Sequence, residues 1–113
     1  MRSKIVSLSK NEDFKSILNG EKISNKYSTI FFKKLSKKNN KKLNISFITK
    51  KKIGNAIIRN KIKRRLRNIM NEASKKINLK LDYCYLIIAR RLILNEKYEN
   101  IKETLFSDFR KLK

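Results

Sequence analysis

The sequence predicts a single-domain α+β sandwich, with helices packed on a mixed sheet of four strands, or of three, and a βαβ crossover through a basic helix. Three observations carry this. Segments 26–34, 43–49 and 82–89 have strand composition, a long helical stripe separates the last two, and a second amphipathic helix closes the chain. A strand, a long helix and a strand in that order make a βαβ unit, so the last strand is expected to run parallel to an earlier one. The 113 residues suit one domain with a modest core. No internal repeat and no proline-rich linker divides them, so 1–113 is read as one domain.

Residues 1–10 are polar and basic with little periodicity, and read as a flexible basic arm. From Asn11 the pattern turns helical: Asn11 can cap, Glu12 and Asp13 suit the positive end of the helix dipole, and Phe14, Ile17 and Leu18 share one face. Asn19-Gly20 ends it. Lys26 to Lys34, with Tyr27, Ile30, Phe31 and Phe32, and Leu43 to Thr49, with Leu43, Ile45, Phe47 and Ile48, are strands. The polar stretch 36–42 between them reads as a hairpin loop, and a short extra strand is placed around Ile23.

A long helix is expected from Asn55 to about Asn78. At about 100° per residue, Ile58, Ile62, Leu66, Ile69 and Ala73 fall in one arc, with Asn60, Lys63, Arg64 and Arg67 on the other side. Asp82 to Ala89 is a nearly continuous apolar run, typical of an interior strand. The final helix, from about Asn95, spaces Tyr98, Ile101, Leu105, Phe109 and Leu112 by threes and fours. Glu96 and Glu99 near its start and Arg110, Lys111 and Lys113 near its end complement the dipole.

Composition removes several kinds of chemistry. With no histidine and a single cysteine, Cys84, the chain has no zinc cluster, no Cys/His or Ser/His/Asp nucleophile system and no disulfide framework. No apolar run approaches the roughly 20 residues of a membrane span, and the amino terminus lacks the apolar core of a signal peptide. A cytoplasmic protein without a membrane partner is the expectation. The 31 basic and 9 acidic residues give a net charge of +22, and nucleic acid is the commonest intracellular polyanion.

Codon drift in an A/T-rich genome explains lysine excess without any function, and 23 of the basic residues are Lys. It does not explain the arginines. Four of eight, Arg59, Arg64, Arg65 and Arg67, fall within nine residues, and Arg suits bidentate phosphate contact and base stacking. No acid occurs between Glu21 and Glu72, where seventeen Lys or Arg do. From Lys50 to Arg67, nine of eighteen residues are basic. Such a helix repels itself until phosphates replace neighbouring cations. Gly54 and Asn55 sit where strand hands over to helix, and Asn55 can cap the free amides.

Gly54-Asn55-Ala56-Ile57-Ile58-Arg59-Asn60-Lys61-Ile62-Lys63-Arg64, with Arg67, resembles the Arg-Asn-Arg signature of the protein subunit of bacterial ribonuclease P. Asn11-Glu12-Asp13-Phe14 resembles that family's first helix, and Asp82-Tyr83 through Ile88-Ala89-Arg90 its last strand. The order is the same over nearly the whole chain, although the signature's second arginine is Lys61 here. The resemblance implies a ribonucleoprotein in which RNA, not protein, cleaves precursor tRNA to release the 5′ leader and leave a mature 5′ end. It implies divalent metal (Mg2+) held mainly by the RNA and none by the protein alone. No protein side chain is expected to be catalytic.

Two surfaces follow from the resemblance. Lys51, Lys52, Asn55, Arg59, Asn60, Lys61, Lys63, Arg64 and Arg67 would contact the ribonuclease P RNA, the protein acting as a monomer in a 1:1 complex. A cleft between the first helix and the sheet would hold the single-stranded leader of precursor tRNA against aromatic rings. Phe14 matches a cleft position, Leu18 stands where the family often has a second aromatic, and the strand offers Phe31, or Phe32 in the other register. Two other readings share the charge and size: a structural RNA binder such as a small ribosomal protein, and a DNA-binding module with the basic helix in a major groove.

Overall fold

The run Tyr83-Cys84-Tyr85-Leu86-Ile87-Ile88-Ala89 is too apolar to leave either face in water, so it belongs inside a sheet covered on both sides. A computed structural model, describing residues 5–6, 17–34, 43–77 and 83–111, places it there. The strands are β1 (Ile5–Val6), β2 (Glu21–Ser24), β3 (Ser28–Lys34), β4 (Leu43–Ile48) and β5 (Tyr83–Ala89), in the spatial order β1-β4-β5-β3-β2. β5 pairs antiparallel with β3 and parallel with β4, which makes the sheet mixed as expected. Its four principal strands are joined by β1, a two-residue strand parallel to β4 inside the segment read as an arm.

The basic helix α1 (Ala56–Lys76) carries the chain from β4 to β5, so the crossover is present. A 3-10 turn at Lys51–Ile53 precedes it, another at Arg91–Leu94 follows β5, and α2 (Tyr98–Lys111) closes the fold. The hairpin expected between β3 and β4 does not form, because β5 lies between them. The most apolar strand takes the centre, where both faces are covered, and the two strands it separates become its neighbours. The stretch 36–42 lies outside the described residues. The hairpin that does form joins β2 to β3, with the Asn25 side-chain oxygen accepting from the amides of Tyr27 and Ser28 at 2.7 and 2.8 Å.

Strand alternation divides the sheet into two faces. Ile30, Phe32, Ile45, Tyr85 and Ile87 point to the helices, where they meet Ile62, Leu66, Ile69, Met70 and Ala73 of α1 and Ile101, Leu105, Phe106 and Phe109 of α2. Each aliphatic side chain buried in this way stabilises the fold by roughly 1.5–3 kcal/mol. The opposite face carries a smaller cluster, Ile17, Cys84 and Leu86, with Phe31 and Ile48 against it.

Two element boundaries differ from the sequence reading. α2 starts at Tyr98 rather than Asn95, because the 3-10 turn takes residues 91–94. Glu96 stands just outside the helix, accepting from the Tyr27 hydroxyl at 3.0 Å, the Lys97 amide at 2.9 Å and the Asn100 side chain at 3.3 Å. At the other end of the chain, Ile17 and Leu18 are helical and the Gly20 amide donates to the Ile17 carbonyl, ending that turn. Residues 11–16 of the expected first helix lie outside the described residues.

Gly20 is there for lack of room: a Cβ on it would lie 2.8 Å from the Phe32 carbonyl oxygen and 3.3 Å from that of Ile17. Both are backbone atoms that cannot turn aside. Gly20→Ala is therefore expected to destabilise the protein by about 1–3 kcal/mol, read as a lower urea midpoint with an unchanged slope.

Candidate nucleic-acid interface

The basic helix is shaped by its anchored side. Ile53 is buried and pins the turn before α1, and the Asn55 side chain caps the helix by accepting from the Ile58 amide at 3.0 Å. With Ile62, Leu66, Ile69 and Ala73 against the sheet, Asn60, Lys61, Arg64 and Arg67 face solvent. Residues about 60° to either side of that buried stripe, Arg59 and Arg65, are half-buried. Arg65 is turned inward and donates to the carbonyls of Ile93 and Leu94. The Arg59 Nε is buried with no hydrogen-bond partner among the described residues, Lys63 is half-buried, and the Arg67 guanidinium lies 6.0 Å from the Phe47 ring centre. A β-strand and a 3-10 turn precede α1 in place of the partner helix of a helix–turn–helix, which removes the major-groove reading.

The second surface is on the far side of the sheet. Phe31 points there, directly opposite Lys22 of β2 in the strand register, and the Lys22 ammonium sits 5.9 Å from its ring centre. Because β4 and β5 are parallel neighbours, their C-terminal ends meet at one end of the sheet. The turns that follow them bring Lys50, Lys52, Arg90 and Arg91 together around a cleft of about 580 Å³, floored by Thr29, Phe31 and Ile88. Arg91 donates to the Ile53 carbonyl and so ties one turn to the other. Five cations thus surround one half-buried aromatic ring.

The expected cleft residues separate by parity. Phe31 lines the cleft, while Phe32 is 9% exposed on the helix side, its ring 6.2 Å from Tyr83. Phe32 therefore belongs to the core, since adjacent strand residues point to opposite faces. Of the adjacent helical residues, Ile17 is fully buried against the cleft-side cluster and Leu18 is 47% exposed. Phe14 lies outside the described residues. Lys52, grouped by resemblance with the helix face, lines the cleft.

The acids are held elsewhere. Glu72 accepts from the Tyr98 hydroxyl at 3.3 Å, and Lys102 bridges Glu72 and Glu99 at 3.7 and 3.1 Å. Burial and the Glu72 charge push the Tyr98 phenol up to about 12. Asp108 is buried and accepts from the Asn25 side chain at 2.7 Å, fixing the β2–β3 turn to α2. The Lys97 amide, the Asn100 side chain and the Tyr27 hydroxyl hold the Glu96 carboxyl below the usual carboxylate range. Among the described residues, no group of three His, Cys, Asp or Glu side chains could hold a metal ion.

A family model for ribonuclease P matches residues 3–113. The chain belongs to the ribonuclease P protein family. It is 34% identical over 105 residues to the ribonuclease P protein component of Bacillus pumilus, an alignment covering 92% of this chain and 85% of that one. The ribonuclease P protein of Staphylococcus aureus superposes with a TM-score of 0.75 at 25% identity, over 94% of this chain and 93% of that one. The Thermotoga maritima protein shares the fold, with a TM-score of 0.80 at 21% identity over 96% and 98% of the two chains. The reading as a small ribosomal protein finds no support among these relatives.

Within this family fold, sequence reasoning missed Lys22, Lys50, Thr29, Arg90 and Arg91 as cleft residues. Lys22 could be found only from the β2–β3 register, and Arg90 and Arg91 only from the parallel pairing of β5 with β4. Arg65 was legible as a cation but not as one turned inward. Arg65→Met is expected to cost about 1–3 kcal/mol, because the carbonyls of Ile93 and Leu94 lose a charged donor. Arg64→Met, at an exposed position, should stay within about 0.5 kcal/mol of the parent; urea denaturation of the two variants makes the comparison.

Proposed function

We propose that this chain is the protein half of a ribonucleoprotein that removes the 5′ leader from precursor tRNA, with the cleavage performed by its RNA. The observation that carries the proposal is the pair of cationic surfaces on a chain of this family: a helix face and a cleft with an aromatic floor. The face of α1 with Asn55, Arg59, Asn60, Lys61, Lys63, Arg64 and Arg67, together with Lys51, docks on the ribonuclease P RNA, mainly through phosphates. The cleft takes the single-stranded leader. There the Phe31 ring offers a stacking surface for an unpaired base, while Lys22, Lys50, Lys52, Arg90 and Arg91 follow the backbone phosphates.

The division of labour follows from chemistry. Hydrolysis of a phosphodiester requires an activated water and stabilisation of the charge that develops on oxygen, a role that divalent metal performs well. With no histidine in the chain and no metal-holding cluster among the described residues, we assign the metal, Mg2+, to the RNA. The protein contributes position: it fixes the leader relative to the RNA and relieves phosphate repulsion between the two. One protein per RNA and a cytoplasmic location, where precursor tRNA is met, complete the proposal. Among the described residues no helix is long and apolar enough to cross a membrane.

Reconstitution tests this. With a cognate ribonuclease P RNA and a leader-bearing precursor tRNA at low magnesium, the protein should accelerate cleavage over RNA alone; equal rates with a folded protein would refute the proposal. Replacing Arg64 and Arg67 together by Ala should make the salt dependence of assembly shallower, by about one unit per lost phosphate contact.

The cleft has its own test. Phe31→Ala should weaken binding of leader-bearing precursor about tenfold, in line with ~1–3 kcal/mol per stacked base, and leave mature tRNA unaffected. Phe32→Ala should instead lower stability, by about 3–5 kcal/mol as for other buried aromatics.

A further inference from the structure

Ile57 is 75% exposed, the most exposed of the large apolar side chains among the described residues, and it stands in the most highly charged segment of the chain. Its neighbours on the helix surface are Asn60, Lys61 and Arg64, at spacings of three, four and seven. At about 100° per residue it lies roughly 20° from Arg64 around the helix axis and roughly 40° from Lys61. Ile57 therefore sits inside the cationic stripe and not at its margin. Ile58, the next residue, packs on the core, so helix burial is already served and leaves Ile57 without a role inside the fold.

We propose that Ile57 is an RNA contact, packing on the face of an unpaired base of the ribonuclease P RNA while the cations around it hold the flanking phosphates. The inference rests on the docking face assigned above and extends it. A surface that met only phosphates would gain nothing from a β-branched aliphatic side chain, which stays in water at a cost and has a lower helix propensity than Ala, Lys or Arg. An unstacked base offers the matching surface: flat, apolar and exposed wherever the RNA is not helical. The charge around Ile57 selects a polyanion as the occupant. The stiff side chain also loses little rotamer freedom on contact, which makes it a fixed element among long, mobile cations.

The experiment uses three variants and one control. Affinity of the whole protein for a cognate ribonuclease P RNA is measured across a salt series for the parent, Ile57→Ala, Ile57→Lys and Arg64→Ala. Ile57→Ala should weaken binding about three- to tenfold at every salt concentration with the slope unchanged. Ile57→Lys should also weaken it, although it adds a cation. A purely electrostatic face would respond to that substitution with tighter binding and a steeper slope, and this result would overturn the proposal, as would an Ile57→Ala variant that binds like the parent. Chemical probing with a base-modifying reagent should show one unpaired base protected by the parent and reactive with Ile57→Ala; identical patterns would also count against it. Arg64→Ala separates the two levels of inference. A shallower slope there with neutral Ile57 variants means that the face is right and Ile57 is not part of it, whereas an unchanged slope means that the docking face itself is wrong.

Discussion

The parallel pairing of β4 with β5 is the constraint from which the rest of the molecule follows. β5 is apolar on both sides and has to lie inside the sheet, and a parallel neighbour can be reached only by a crossover. α1 is that crossover, and its buried stripe of Ile62, Leu66 and Ile69 lays it across one face of the sheet. The same pairing puts the C-terminal ends of both strands at one end of the sheet, where Lys50 and Lys52 meet Arg90 and Arg91. The helix that presents cations and the cleft that gathers them are therefore two consequences of one strand arrangement.

A charge of +22 on a chain of this size has to be tolerated before it can be used. Like charges at i, i+4 on α1, such as Arg59 with Lys63 and Lys63 with Arg67, each cost only a few tenths of a kcal/mol. Against that, five residues of the same helix are buried, including Ile62, Leu66 and Ile69, and each such aliphatic contributes several times as much. The core wins locally, and the repulsion is left for a polyanion to relieve. The described acids deepen the asymmetry, because Glu72, Glu96, Glu99 and Asp108 hold α2 or its surroundings through Tyr98, Tyr27, Lys102 and Asn25. They gather negative charge around α2, while nine of the eighteen residues from Lys50 to Arg67 are basic and none is acidic.

What could be read in advance was what depends on near neighbours in sequence. The buried stripe of α1, the cap at Asn55 and the interior character of β5 are all set within one element, and each was legible. The β3–β4 connection was misread because adjacency in sequence was taken as adjacency in space, whereas insertion of β5 between two strands is decided by burial of the whole sheet. Phe31 and Phe32 illustrate the same limit. Both are aromatic and consecutive, so only the register with β2 and β5 decides which one faces the cleft. Lys22 is ordinary in sequence and becomes notable only because that register sets it opposite Phe31.

Arg65 and Arg91 show that even the most informative residue type has two uses. Arg65 belongs to the arginine cluster that suits phosphate contact in the sequence, yet it donates to the carbonyls of Ile93 and Leu94, and Arg91, which lines the cleft, donates to that of Ile53. These carbonyls belong to the two 3-10 turns beside the cleft, whose tight ends leave acceptors without partners of their own. A planar guanidinium can span two such acceptors in a fixed geometry, which a lysine ammonium on its flexible stem does less well. The chain α1, Arg65, the turn 91–94, Arg91, the turn 51–53 and back to α1 is thus closed. It registers the helix face to the cleft at one end of the sheet, so the two surfaces keep one relative position.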